Sequence, residues 1–138
     1  MPISGLRSPA DKVGDLVYFG RMVDKIRLHA SGQLPADYIP NLGDGFDKLC
    51  AGLFEIPYEV IVQRVKDGGT DDELLAWCLQ NGRKLTEQGR LVWSEYLRKR
   101  GWNDAGSKRL SERKAESGLS ARDDIQTFFQ YIDADEGR

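Results

Sequence analysis

Histidine and cysteine are nearly absent from this 138-residue chain, which holds one His and two Cys. With His29 alone, any histidine-dependent acid–base step must run through that residue. A zinc site of the usual His/Cys make-up is short of ligands. Cys50 and Cys78 form no disulfide framework. Each sits among apolar neighbours at helical spacing, which fits small buried hydrophobes in a reducing compartment; a reactive thiol needs a basic, semi-exposed setting. Long hydrophobic runs are missing too. No segment approaches the roughly 20 apolar residues of a membrane helix, and the opening MPISGLRSPADKVGD has no apolar core of the secretion-signal type. A cytoplasmic location without membrane contact is the expectation, with no metal and no cofactor.

Charge of one sign is also lacking. The formal net charge is −2, so nothing pulls the whole molecule toward nucleic acid, which is not an expected partner. The distribution is uneven. Residues 98–114 carry 7 basic and 2 acidic groups, whereas residues 115–138 carry 2 basic and 6 acidic. These neighbouring blocks neutralise each other. Trp102 inside the basic block is a single stacking aromatic, too little for a nucleic-acid surface. Two motif resemblances fail. Gly101 to Lys108, GWNDAGSK, resembles a phosphate loop, but Ser107 occupies the lysine position and a helix precedes it. The closing DADEG resembles the start of a calcium loop without its later ligands. There is no G-x-S-x-G elbow.

What is present is helical periodicity along most of the chain. A first helix is expected from about Lys12 or Asp15 to Ala30, with Ser8 and Pro9 as a start signal if it begins early and Gly14 as a competing break. Phe19, Met22, Val23, Ile26 and Ala30 share its apolar face, and Gly32 ends it. QLPADYIPNLGDG then reads as an extended connection. A short helix follows from about Gly45 to Leu53, burying Phe46, Leu49, Cys50 and Leu53. Pro57 opens another, to about Lys66, through Tyr58, Ile61, Val62 and Val65. Thr70 to Leu79 has the clearest start, with Thr70 and Glu73 as a capping box, and Gly82 closes it. Thr86 caps a helix to about Arg100 whose buried face is Val92, Trp93, Tyr96 and Leu97. Trp77 and Trp93 belong to the core, and Trp102 is partly exposed. Residues 102–119 read as a basic surface loop with one polar turn. A last helix starts at Ser120, with Asp123 completing a capping box and Ile125, Phe128, Phe129 and Ile132 as its stripe. Residues 133–138 are an acidic tail expected to fray. The sum is an all-α, single-domain bundle of about six short-to-medium helices over residues 1–138.

One constellation invites a functional reading. In YFGRMVDKIRLHA, Tyr18 to Ala30, Arg21, Lys25 and His29 fall at i, i+4, i+8, with Asp24 within pairing distance of Arg21 and Arg27, and Tyr18 one turn before. Stacked like charges cost a little in an isolated helix, so an anionic partner bearing phosphate or carboxylate is the leading expectation: a binding or regulatory module using Arg21, Lys25, His29, Asp24, Arg27 and Tyr18. The bland alternative pairs Asp24 with both arginines and leaves His29 as a helix-end residue. A homodimer or protein-interaction module is the second reading, motivated by Val17 and Leu28 opposite the main apolar face. An enzyme with His29 as general acid or base is the third, and it requires His29 to open into a cleft with another ionisable group.

LRSP at 6–9, RMVDKIR at 21–27, LPADY at 34–38 and the closing DADEGR resemble a bacterial family of domains of unknown function, family 5069, through nearly the whole chain. The resemblance implies a small freestanding bacterial protein. It carries over no functional residue.

Overall fold

The first regular structure is a hairpin. In the computed structural model, which describes residues 2–138, β1 (Lys12–Val13) pairs antiparallel with β2 (Leu16–Val17), Lys12 opposite Val17 and Val13 opposite Leu16. Gly14 turns the corner at φ +59°, the positive φ that two-residue hairpin loops favour. Strands of two residues are too short to show alternation, which is why helical periodicity ran through them. The helix expected from Lys12 or Asp15 therefore begins later, as α1 (Phe19–Ala30). Ser8 does not cap it. The Ser8 hydroxyl accepts from the Ala10 amide and donates to Asp133.

α1 lies in the core. Phe19, Met22, Val23 and Ile26 are buried as expected, while Ala30 is exposed. The expected extended connection winds instead into a 3-10 helix, Ala36–Asn41. α2 (Phe46–Phe54) buries Cys50 and Leu53 and packs Phe46 against the core as expected, but Leu49 is exposed, and Asp47, Ala51 and Phe54 join the buried side. α3 (Tyr58–Lys66) and α4 (Asp71–Asn81) form where periodicity places them, α4 with the full Thr70–Glu73 capping box. Trp77 and Trp93 are packed against the core from its edge, partly buried.

α5 (Glu87–Lys99) is capped by Thr86, but it is rotated relative to expectation. Ser94 and Leu97 are its buried residues, and Val92 and Tyr96 point outward. The Ser94 hydroxyl accepts from the Val17 amide and donates to the Asp15 carbonyl, and Arg90 pairs with Asp15 at 2.9 Å. These bonds seat the Ser94 face on the hairpin. The expected loop at 102–119 contains a ten-residue helix, α6 (Ser107–Glu116). Its low apolar content hid it, since only Leu110 is buried. α7 (Phe128–Asp135) starts later than Ser120, with Thr127 and Gln130 as its capping box in place of Ser120 and Asp123. The molecule is thus mostly helical, with seven α-helices, one 3-10 helix and a small hairpin among the described residues. No helix is long and apolar enough to cross a membrane.

Residues 133–138, expected as a tail, lie against the rest of the molecule, with α7 running to Asp135. Glu136 is 5% exposed, and Arg138 bonds the Leu6 carbonyl, Asp133 and Glu136. Buried polar groups are normally satisfied in this way.

Candidate functional site

The stripe on α1 is built as a helix demands, but its edge is closed. Arg21 is 4% exposed and forms a two-pronged ion pair with Glu136, at 2.9 Å and 2.6 Å. Its guanidinium also donates to the Arg7 carbonyl. Lys25, 8% exposed, donates to Asp47 at 2.8 Å and to the Tyr18 hydroxyl at 3.0 Å. Asp24 pairs with neither Arg21 nor Arg27. It accepts from the Arg7 side chain and from the Arg7 amide. Arg27 pairs instead with Asp71 at 2.8 Å and donates to the Gly69 carbonyl. His29 is exposed on the last turn of α1 and lines neither of the two clefts described below and at the α1–α3 seam. The expected anion-accepting edge is thus filled by Glu136, Asp47 and Asp71. A carboxylate already within hydrogen-bond distance of each cation removes the electrostatic demand for an external anion. Neither of these two clefts joins His29 to a second ionisable group, which the acid–base reading requires.

The interior network has a definite geometry. Tyr18 precedes α1 at φ +68°, a left-handed conformation costing a non-glycine residue roughly 1–2 kcal/mol. That backbone aims its ring inward, between Phe46 at 5.5 Å and Phe129 at 6.2 Å, and its hydroxyl donates to Asp47 at 2.8 Å. Asp47, wholly buried, also accepts from the Gly43 amide. Burial pushes the Tyr18 phenol well up, helped by the Asp47 carboxylate. Burial likewise lowers Lys25, against the opposing pull of Asp47. Beside this group, burial alone would raise Glu136, but bonds from Arg21, Tyr38 and Arg138 outweigh it and hold the carboxyl at about 2. Among the described residues, no buried side-chain polar atom is left without a partner. Full satisfaction of this kind is what rigidifies a buried polar network.

The features that do face solvent were not chosen from the sequence. α5 exposes Leu91, Val92 and Tyr96 at 56%, 59% and 50%. Beside Leu91 lies a surface cleft of about 520 Å³ between the hairpin and α5, lined among others by Lys12, Asp15, Val17, Gln88 and Glu95. A smaller groove of about 280 Å³ lies between the ends of α1 and α3, lined by Arg27, Ala30 and Lys66 among others. The signal for the α5 face was present but ambiguous. Positions 92, 93, 96, 97 and positions 90, 93, 94, 97 both follow helical spacing, and only the bonds of Ser94 and Arg90 to the hairpin select the second. Conversely, of Val17 and Leu28, the expected second apolar spot, only Val17 is fully covered from within. Val17 is buried in β2, and Leu28 is half-buried with Gly5 against it.

The two cysteines are free and buried. Burial lifts Cys78 to about 12 and Cys50 well above its ordinary value, so neither is a nucleophile near neutral pH. No group of three or more His, Cys, Asp or Glu side chains among the described residues is arranged to hold a metal ion.

Residues 3–138 match the family described as a domain of unknown function, DUF5069. No curated protein matches the chain.

Proposed function

We propose that this chain, which belongs to the DUF5069 family, works as an interaction module that docks a protein surface on the outward face of α5. The observation that carries this reading is the exposure of Leu91, Val92 and Tyr96, each at least half exposed on one helix. Scattered apolar residues are ordinary on a protein surface. Val92 and Tyr96 stand one turn apart on the outward side of α5. Leu91, about 100° around the helix from Val92, opens onto a cleft of about 520 Å³ whose other lining residues are largely polar. The result is an apolar pair with the polar rim of an interface. The matching partner offers an apolar contact to Val92 and Tyr96 and polar groups of both signs to the cleft side, where Glu87, Glu95 and Arg98 lie with Leu91. The reading places the chain in a reducing compartment, the cytoplasm, which suits its two unpaired buried cysteines. It replaces the anion-binding stripe, whose cations are neutralised internally.

A photo-crosslinking residue in place of Val92 tests this in living cells, with Glu112 on exposed α6 as the reference position. A discrete adduct at position 92, absent at 112 and abolished by adding Leu91→Glu and Tyr96→Glu, is expected. Equal labelling at the two positions overturns the reading.

A further inference from the structure

We infer that the cleft between the hairpin and α5 binds a short linear peptide of about three to five residues with free termini, its ammonium end against Glu87 and its carboxylate end against Lys12 and Arg98. The inference goes beyond the docking reading and does not rest on it, because it concerns a different flank of α5 from that of Val92 and Tyr96.

Helical geometry sets that flank. At about 100° per residue, Glu87, Leu91, Glu95 and Arg98 fall within about 80° of arc, and all four line the cleft. Buried Val17 and Ser94 also line it, where the helix is bonded to the hairpin. Lys12 lines it from β1. The volume, about 520 Å³, lies within the roughly 300–1,000 Å³ typical of small-ligand sites.

Charge is ordered along this cleft. At the carbonyl end of α5, Arg98 pairs with Glu95 at 2.7 Å. The bond from Arg98, with the charges of Lys99 and Lys12 behind it, outweighs desolvation and holds the Glu95 carboxyl below its ordinary value. The Lys12 ammonium therefore belongs to this same end, where two lining cations face one lining carboxylate. At the amide end, the Asp15 carboxylate is taken by Arg90, which leaves the negative charge of Glu87 in surplus. Lys12 and Glu87 are exposed and take part in no ion pair among the described residues. Between the two ends, Leu91 and Val17 supply the apolar lining.

This order selects the ligand. A rise of about 1.5 Å per residue puts roughly 16 Å of helix axis between Glu87 and Arg98, and their side chains shorten the gap by reaching inward. An extended peptide gains about 3.3–3.6 Å per residue, so three to five residues carry opposite terminal charges across it. A free amino acid is too short to meet both ends. A compact anion would face the carboxylates of Asp15, Glu87 and Glu95, and a purely apolar ligand would leave the end charges unmatched. The Gln88 amide on the cleft wall, a donor and an acceptor at once, suits a peptide backbone. Both ends use solvent-exposed charge, so binding is weak and screened by salt.

The test is an NMR titration of the isotope-labelled full chain with the tetrapeptide Ala-Leu-Leu-Ala at low ionic strength. The N-acetylated peptide, the C-amidated peptide and free leucine are titrated beside it. Saturable shifts are expected at the amides of Lys12, Val17, Gln88 and Leu91, with each cap weakening binding several-fold and free leucine binding weakest. Glu87→Gln is expected to abolish the preference for a free ammonium while keeping that for a free carboxylate. Lys12→Gln is expected to reduce the preference for a free carboxylate and leave the other intact. Neither side chain is paired within the fold, so both variants are expected to melt as the wild type does. No saturable shift up to about 10 mM peptide, shifts centred elsewhere, or capped peptides that bind as tightly as the free one overturns the site. An ammonium preference that survives Glu87→Gln overturns the assigned orientation.

Discussion

At the residue scale, the decisive groups are Tyr18, Lys25, Asp47, Arg21 and Glu136, and they make a polar interior with its charges paired. A buried ion pair contributes little net stability over apolar residues of the same shape, because desolvation offsets attraction, yet breaking one side is costly. That asymmetry gives a prediction. Asp47→Asn keeps an acceptor for Tyr18 and Gly43 but leaves the Lys25 ammonium without its counter-charge. It is expected to cost about 3–5 kcal/mol. Lys25→Met added to it is expected to recover at least half of that loss, and urea denaturation of the single and double variants at an unchanged m-value measures the coupling. Additive losses would show that Lys25 and Asp47 do not act as a pair. The sequence showed Lys25 plainly and hid Asp47. A carboxylate at an inward helical position looks like a mistake in the pattern until the cation and phenol it serves are brought to it from α1.

At the element scale, start and stop signals were legible where side chains close to one another in sequence do the work. Thr70 with Glu73 and Thr86 before α5 cap as their spacing implies. Elements were misread where the deciding partner is distant. The face of α5 is selected by the hairpin, more than 70 residues earlier, and α6 has too narrow an apolar stripe to be seen from periodicity. Gly82 shows how local and distant causes meet. It ends α4 in an extended conformation that any residue adopts, but a Cβ there would sit 2.3 Å from the Phe54 carbonyl oxygen and 2.9 Å from that of Cys78. The same Phe54 carbonyl accepts from the Arg83 amide, so it is not free to move aside. Gly82→Ala is expected to destabilise by about 1–3 kcal/mol through this overpacking. Calorimetry checks it: a melting temperature equal to wild type would mean that the ends of α2 and α4 separate without cost.

At the scale of the whole molecule, the network around Glu136 ties the last turn of the chain to α1, to the 3-10 helix and, through Arg138, to the N-terminal segment at Leu6. Its carboxyl sits at about 2 in the fold, below the roughly 4.3 of an unfolded glutamate. A depressed carboxyl stabilises the fold above the unfolded value and loses that contribution as pH falls through the folded one. Between about pH 4.3 and pH 2, stability is therefore expected to fall by roughly 2–4 kcal/mol from this group. Denaturant titrations at stepped pH in wild type and Glu136→Gln would show it, with the variant less stable at neutral pH and flatter across that window. Parallel pH profiles would show that Glu136 is not the group responsible. The outward side of α5 belongs to this scale as well, because the bonds of Ser94 and Arg90 to the hairpin decide which of its residues are left to solvent.

The amino-acid order alone determined the mostly helical character, the capped starts of α4 and α5, the burial of Cys50 and Cys78, and the exposure of Trp102. All of these follow from spacings within a few residues, where backbone geometry is the only other input. Tertiary structure decided which carboxylate meets each cation of α1 and which side of α5 is left to solvent. Glu136 reaches Arg21 across 115 positions, and Asp47 reaches Tyr18 across 29. With 22 acidic and 20 basic side chains available, pairing is a matter of which groups the packed core brings within 3 Å of one another, and no local pattern encodes that distance.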